Sequence, residues 1–290
     1  MELSAECMSC VYAAQFKRME NLGGEKRRAD YMRRVADIIA NCPMGKTAPD
    51  LVPPLDRAFF EVFGIREDRR EEKRLFNQLL LDREPQLWQA ILSAKDSFRA
   101  ALQFSRVGNY IDSSVLDDVN GHTLTRLLEG ALDEPVDETE YANLHADLAK
   151  GKRLAFLCDN AGEIVLDKLF VQQLRQSYPH LDVTVIVRGQ EVQNDATMED
   201  AVFVGMDKVA RVIGSGSGVG GTRLPELDAR AYRTIQDADV ILSKGQGNFE
   251  TLHDCGLNIY YLFLCKCSWF TNRFGMALLK GVLVNENRIV

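Results

Sequence analysis

The chain has 290 residues, seven cysteines and a net charge of −7, which suits a globular protein with a large core. The negative charge and the lack of a lysine and arginine run exclude a general nucleic-acid-binding protein. No apolar run approaches the ~20 residues of a membrane helix, and residues 1–6 lack the apolar region of a signal peptide. We therefore expect a soluble, cytoplasmic protein without nucleic-acid or membrane partners, whose cysteines are mostly reduced.

Residues 1–105 carry apolar side chains at helical spacing, which predicts an N-terminal helical subdomain. Helices are predicted over residues 11–19, 31–39, 51–63, 71–81 and 88–104. Residues 107–112 interrupt this pattern. We therefore expect a joint there between the helical subdomain and the rest of the chain.

Residues 106–290 are predicted to form an α/β domain. After a helix-rich connector that begins near residue 116, short apolar segments alternate with helical patterns. The predicted strands cover residues 153–158, 182–188, 208–213, 238–243 and 258–264, and the predicted helices between them cover residues 164–178, 197–204 and 224–236. Repeated strand–helix–strand units favour a mainly parallel sheet with helices on both faces. The predicted fold is thus a three-layer α-β-α sandwich with an added N-terminal helical subdomain.

Polar clusters follow three of the predicted strands. Asp159 and Asn160 follow the first strand, Arg188 and then Asp195 follow the second, and residues 244–248 follow the fourth. Because the carboxyl ends of parallel strands meet at one rim of a sheet, these clusters are expected to converge. Carboxylate and amide oxygens suit a hard divalent cation, and basic side chains suit phosphate. The sequence therefore predicts a site for a divalent cation and a phosphate-bearing ligand.

Each acidic residue of these clusters also has a structural interpretation. Asp159 or Asn160 could cap the following helix, and Asp195 could form an Asx turn or cap ahead of Thr197. Glu163 could interact with the dipole of the first helical turn. A single cap needs one such residue, so the tandem pair at 159 and 160 favours the ligand site.

The loop over residues 214–222 matches the spacing of a dinucleotide-binding fingerprint at Gly216, Gly218 and Gly221. That fingerprint belongs on the first strand–helix turn and opens directly into a helix. Here it follows a later strand, and Pro225 indicates where the next helix starts. We expect a flexible loop at the rim that could touch a phosphate.

Cys7 and Cys10 form a Cys-x-x-Cys pair in the first helical segment, and Cys42 could join them. A zinc site needs further ligands that the sequence does not supply at the usual spacing. A structural metal, a redox pair and ordinary helix cysteines all remain open. The four histidines show no metal-ligand spacing.

The order of these clusters resembles the domain-of-unknown-function 89 family, also called the damage-control phosphatase or acidic-residue-methyltransferase-like family. The resemblance covers nearly the whole chain, through residues 7–10, 108–112, 158–163, 188–189, 194–197, 243–250 and 265–267. The cysteine pair is similar to that of the mainly prokaryotic branch.

The resemblance implies a metal-dependent phosphatase that hydrolyses phosphomonoesters of small metabolites, such as sugar phosphates or damaged phosphometabolites. The implied cation is Mn²⁺, Co²⁺, Ni²⁺ or Mg²⁺, and its implied ligands are Asp159, Asn160 and Asp195. The substrate-binding segment implied by the family falls on residues 244–250, and a later lysine falls on Lys266.

We assign roles to these residues on the hypothesis of phosphomonoester hydrolysis. The residues expected to act in catalysis are Asp159, Glu163 and Lys244, and those expected to bind substrate are Asn109, Arg188, Gly245, Gln246, Gly247, Asn248 and Lys266. Asp159 either holds the metal only or also attacks the phosphorus. The alternatives are a non-enzymatic metal- or metabolite-binding protein and a cofactor-dependent transferase that uses the 214–222 loop.

Overall fold

The computed structural model describes residues 1–110 and 122–289. Its first half is helical, with α1 (Ala5–Met19), α2 (Glu25–Ala40), α3 (Val52–Phe63), α4 (Arg70–Leu81), α5 (Glu84–Ser93) and α6 (Ser97–Gly108). The helix predicted over residues 88–104 is in fact the end of α5 and most of α6, because the chain breaks between them and Asp96 caps α6. The predicted joint at residue 107 is also displaced, since α6 continues through Gly108. Residues 111 and 112 of that segment lie outside the described residues.

Six strands form one sheet in the second half. They are β1 (Arg153–Leu157), β2 (Asp182–Val187), β3 (Arg211–Gly214), β4 (Val240–Lys244), β5 (Ile259–Leu264) and β6 (Gly281–Asn285). Their order is β3-β2-β1-β4-β5-β6, and only β6 is antiparallel to its neighbour. The strand order reverses between β1 and β4, which is where ligands bind in open sheets of this kind. The sequence prediction missed β6 and began β3 three residues early.

The remaining helices of the described chain connect and cover these strands. They are α7 (His122–Gly130), α8 (Glu138–Lys150), α9 (Glu163–Ser177), α10 (Met198–Val204), α11 (Ala229–Gln236), α12 (Gln246–Leu252) and α13 (Ser268–Phe274). The helix predicted from residue 224 begins at Ala229, because Pro225 lies in a separate 3-10 turn and Asp228 caps α11. The predicted connector from residue 116 is described only from residue 122, where α7 begins.

The sheet is buried on both faces, so the predicted three-layer α-β-α architecture is confirmed. Leu154 and Phe156 of β1 pack in a core with α6 and α9 on one face. Ala155 and Leu157 alternate with them and pack with α11, α12 and α13 on the other face. This double burial explains why the parallel strands are almost continuously apolar.

The N-terminal helices divide between two cores. Helices α1 to α3 form a cluster of their own that includes Tyr31 and Phe59, whereas Phe76 of α4 and Phe98 of α6 belong to the core of the sheet. The predicted division into residues 1–105 and 106–290 stays a prediction, and its boundary lies inside α6. None of the described helices is long and apolar enough to span a bilayer.

We expect Phe156→Ala to lower the free energy of unfolding by about 3–5 kcal/mol, because it leaves a cavity in the sheet core. Phe156 is fully buried and packs edge-on against Phe170. Leu75→Ala is the control, since Leu75 is 64% exposed and a surface change typically costs about 0.5 kcal/mol or less. Urea unfolding of both variants tests this. Equal losses would contradict the assigned position of the core.

Candidate metal and phosphate site

The loop after β1 carries Asp159 and Asn160 and is paired with the segment that carries Asp195. The amide N–H of Ala196 donates to the carbonyl oxygen of Asp159 at 2.7 Å. Asn160 and Asp195 lie opposite each other in a short antiparallel bridge. The fold therefore brings together the three residues predicted to bind a metal ion.

Two asparagine side chains join Asp159 to Glu163, the first residue of α9. Nδ2 of Asn109 donates to Oδ2 of Asp159 at 3.0 Å and to Oε2 of Glu163 at 3.1 Å. Nδ2 of Asn160 donates to the same two oxygens at 2.8 and 3.1 Å. Because this nitrogen of Asn160 faces the carboxylates, the amide oxygen faces away from them.

The guanidinium of Arg188 lies between the carboxylates of Asp195 and Asp159. Its Nε donates to Oδ2 of Asp195 at 2.5 Å, and its Nη2 lies 3.5 Å from Oδ1 of Asp159. Its Nη1 donates to Oδ1 of Asn248 at 3.1 Å. Nη2 is buried and makes no hydrogen bond within the described residues. Buried donors are nearly always paired, so this nitrogen is a candidate contact for an anionic ligand.

Lys244 at the end of β4 lies behind the carboxylates. Its ammonium is fully buried, 2.5 Å from Oε1 of Glu163 and 2.7 Å from Oδ1 of Asp167, and it donates to the carbonyl oxygen of Ser105 at 2.8 Å. These three contacts use its three N–H groups. In this arrangement Lys244 supports Glu163, and a direct contact with phosphate, as the sequence suggested, would break one of these bonds.

Gly245 allows the end of β4 to approach Asp159 closely. Its φ is +78°, and a Cβ atom there would lie 2.0 Å from Oδ2 of Asp159. Only glycine combines this backbone conformation with the missing side chain. Oδ2 of Asp159, which also accepts from Asn109 and Asn160, therefore lies against the backbone of Gly245.

The residues after Gly245 form α12 beside the same carboxylates. Nδ2 of Asn248 donates to the carbonyl oxygens of Lys244 and Cys158 at 2.7 and 3.1 Å, so it joins the ends of β4 and β1. Gln246 and Gly247 are partly buried in the first turn of this helix. The predicted substrate-binding segment therefore adjoins the predicted metal ligands.

The glycine loop over residues 214–222 is closely packed, which corrects the expectation of a flexible loop. A Cβ atom on Gly221 would lie 2.5 Å from the carbonyl oxygen of Gly247. The hydroxyl of Thr222 is buried and donates to Oδ1 of Asn248 at 2.8 Å. The loop thus supports α12 from outside and reaches the site through Thr222.

The predicted Cys-x-x-Cys pair lies on α1. All seven thiols are free, with Cys7 partly buried and Cys10 exposed on α1. Among His, Cys, Asp and Glu side chains of residues 1–110 and 122–289, the one group of three close enough to share an ion is His253, Asp254 and Glu286, which contains no cysteine. Arg273 contacts Nε2 of that histidine at 3.0 Å, so we interpret the group as an ion-pair network.

Residues 3–279 match the family described as Damage-control phosphatase ARMT1-like domain. The chain belongs to this family. It is 30% identical over 224 residues to a damage-control phosphatase of Archaeoglobus fulgidus, with 75% of each chain covered. It is 26% identical over 291 residues to a damage-control phosphatase of Pyrococcus horikoshii, with 98% of this chain and 97% of that one covered. The predicted family and phosphatase function are confirmed.

A further relative and a solved structure are also similar to this chain. An uncharacterized protein of Methanocaldococcus jannaschii is 31% identical over 185 residues, which are 62% of this chain and 60% of that one. The crystal structure of a DUF89 family protein from Pyrococcus horikoshii superposes with a TM-score of 0.81 at 22% identity over 99% of both chains. At 22% identity this superposition supports the fold alone. Membership of the cysteine-bearing branch stays a prediction.

In this damage-control phosphatase the carboxylates of the site repel one another. Burial, followed by the charges of Asp195 and Glu163, raises the pKa of Asp159 to about 8, although Arg188 and Lys266 oppose the shift. Burial also raises the pKa of Asp195 against the effect of Arg188. Lys266, which follows β5 and is half-buried, is therefore close enough to act electrostatically on the site. Negative charge in this pocket is unfavourable until a proton or cation balances it.

The sequence prediction did not include Asp167. This carboxyl is fully buried beside Lys244 and accepts a hydrogen bond from the hydroxyl of Ser105 at 2.6 Å. Burial raises its pKa to about 7, although Lys244 opposes the shift. Asp167 lies four residues after Glu163, on the same face of α9. That spacing is a signal that sequence reasoning could have used.

Gly245→Ala is expected to lower phosphatase activity at least about 100-fold, because the new methyl group displaces Asp159 and small misplacements are that costly. Gly256→Ala is the matched control. Gly256 also has a positive φ of +74°, but nothing lies within 4 Å of its Cβ position. It should cost about 1–2 kcal/mol of stability through backbone strain alone. Activity and urea unfolding measured on both variants separate the two effects, and similar activities would contradict the close approach.

Without metal, the protein is expected to lose stability as pH rises from about 4 to 8. The folded state keeps Asp159 protonated up to about pH 8, whereas the unfolded chain releases that proton near pH 4. The stabilisation is therefore complete below about pH 4 and is lost as pH rises through 8. Asp159→Asn should reduce this slope by up to about 1.4 kcal/mol per pH unit. Urea unfolding in EDTA at pH 5.5 and 7.5 measures the change of the unfolding free energy with pH. An equal slope in the wild type and in Asp159→Asn would disprove the raised pKa of Asp159.

Proposed function

We propose that the protein hydrolyses phosphomonoesters of small metabolites and uses a divalent cation held by Asp159, Asn160 and Asp195. The observation that carries this proposal is the buried group of carboxylate and amide oxygens at the β1–β4 switch point. Beside it lies Nη2 of Arg188, which makes no hydrogen bond within the described part of the chain. Oxygen ligands suit the cation, and a guanidinium suits the phosphate that the cation would share.

The residues fit a divalent cation on two grounds. The donor atoms are all oxygens, which suits Mg²⁺ and Mn²⁺ and also allows Co²⁺ or Ni²⁺. The raised pKa of Asp159 reflects burial and negative charge that a bound cation would offset. When bound, the cation supplies positive charge for a phosphoryl oxygen and lowers the pKa of a water molecule.

Several residues are proposed to bind and orient the phosphate ester. Arg188 donates from Nη2, and Lys266 contributes a second positive charge at the same rim. The backbone N–H groups of residues 245–248 are proposed to contact the remaining phosphate oxygens at the close approach that Gly245 permits. These contacts place charge where it develops during phosphoryl transfer.

A different role is proposed for the residues behind the ligands. Lys244 holds the carboxylate of Glu163, and Glu163 with Asn109 holds the side chains of Asp159 and Asn160. Because Oδ2 of Asp159 already accepts from both asparagine amides, the metal-binding or nucleophilic role is assigned to Oδ1. Lys244, Glu163 and Asn109 are therefore proposed to act by fixing the direction of that oxygen.

We expect phosphate release from at least one member of a panel of sugar phosphates in the presence of Mn²⁺, Co²⁺, Ni²⁺ or Mg²⁺. EDTA should abolish it. Asp159→Asn and Asp195→Asn should each reduce the rate at least about 100-fold, as loss of a group that stabilises developing charge does. The exposed Asp207→Asn is the charge-matched control and should retain full activity.

Each rival function has a distinct outcome in these assays. Folded protein that releases no phosphate with any of the four cations would contradict the proposal and favour a binding protein. Full activity in both aspartate variants would contradict the ligand assignment. The cofactor-dependent transferase loses its support, because the 214–222 loop is filled by its own packing against α12.

A further inference from the structure

The turn that carries Asp159 and Asn160 is held from behind by a residue of α4. Asn77 is fully buried, and its Oδ1 accepts the backbone N–H of Gly162 at 2.6 Å. Gly162 caps α9 with a φ of +77°. The turn directly after the two ligand residues is therefore fixed by a side chain that lies 85 positions away in sequence.

The other end of the same amide reaches the segment that carries Asp195. Nδ2 of Asn77 donates to Oδ1 of Asp200 at 2.9 Å. Oδ2 of Asp200 accepts from both the backbone N–H and the hydroxyl of Thr197, each at 2.9 Å. Since Thr197 is two residues beyond Asp195, Asn77 and Asp200 together connect the two ligand-bearing segments.

Lys73 balances the negative charge of Asp200. Its ammonium, on a side chain that is 2% exposed, lies 2.8 Å from Oδ2 of Asp200 and 2.7 Å from Oε2 of Glu191. Lys73 precedes Asn77 by one turn of α4, so both side chains face the same way. The network is fully buried at Asn77, where an unmatched donor or acceptor is costly.

We propose that Asn77 is a positioning residue of the phosphatase. It fixes the separation between the segment of Asp159 and Asn160 and the segment of Asp195, and it thereby sets the affinity for the divalent cation. This inference rests on the proposed function, because it takes those residues as cation ligands. Outer partners of metal ligands change affinity about 10- to 100-fold when they are removed.

The first test is Mn²⁺ titration calorimetry on the full-length protein. Asn77→Leu should weaken Mn²⁺ binding by about tenfold or more, since both connections are lost. The amide of Gly162 should also exchange its hydrogen faster, because its acceptor is gone. The second readout does not depend on catalysis.

A paired exchange distinguishes geometry from simple damage. Asn77→Asp alone places a new carboxylate against that of Asp200, so the two repel each other and Mn²⁺ binding should weaken. Adding Asp200→Asn places an amide donor at position 200 opposite the carboxylate acceptor at position 77. The carboxylate at position 77 still accepts from the backbone N–H of Gly162. The double variant should recover most of the lost affinity, which a nonspecific loss of stability would not do.

Gln103→Leu is the matched control for loss of a buried amide. Gln103 is 5% exposed on α6, and its Nε2 donates to the carbonyl oxygens of Leu132 and Glu134 at 3.0 and 2.7 Å. This variant should lower the melting temperature and keep the Mn²⁺ affinity of the wild type.

The outcomes separate the two proposals. Wild-type protein that binds no divalent cation overturns the proposed function. Wild-type binding with equal affinity in folded Asn77→Leu, or an equal loss in Gln103→Leu, overturns the inference alone. If Asn77→Leu does not fold, equal Mn²⁺ affinities of Asn77→Asp and the double variant overturn it instead.

Discussion

The buried ion cluster around Lys244 is the interaction on which the site depends. One ammonium on β4 contacts two carboxylates of α9 and the backbone of α6, so it joins three elements at the switch point of the sheet. Removing one partner of a buried pair costs about 3–5 kcal/mol, whereas replacing a whole cluster by apolar residues is often neutral. Stability alone therefore does not account for it. Its effect is geometric, because Glu163 is held where both asparagine amides can donate to it.

Because Lys244 pairs with Glu163 and Asp167, its positive charge does not balance the carboxylates at the strand ends. Burial and negative neighbours raise the pKa of Asp159 and burial raises that of Asp195, and the basic side chains that oppose these shifts do not cancel them. The folded protein thus carries an electrostatic cost at the site. A ligand that binds the folded state and relieves such a cost also stabilises it. Cation binding and folding stability are therefore coupled at these residues.

Much of this arrangement could be predicted from the sequence, because it depends on local pattern. The apolar strands and the polar residues directly after them indicate both the sheet and the position of Asp159 and Asn160. The missing parts depend on contacts between distant segments. The edge strand β6 pairs antiparallel with β5, a pairing that repeated units of a parallel sheet do not indicate. The burial of Lys244 depends on Asp167 and Ser105, which approach only when α6 packs on α9.

The helical part of the chain takes part in the site rather than standing apart from it. Asn109, the residue after α6, donates directly to Asp159, and α4 supplies Asn77. Beyond them, Arg223 of the segment before α11 pairs with Asp50, which belongs to the 3-10 helix (Ala48–Leu51) that packs on α12. The strand ends thus supply the ligand atoms, while helices from the other half of the chain fix their directions. A sheet with these residues but without those helices would have the chemistry of the site and lack its geometry.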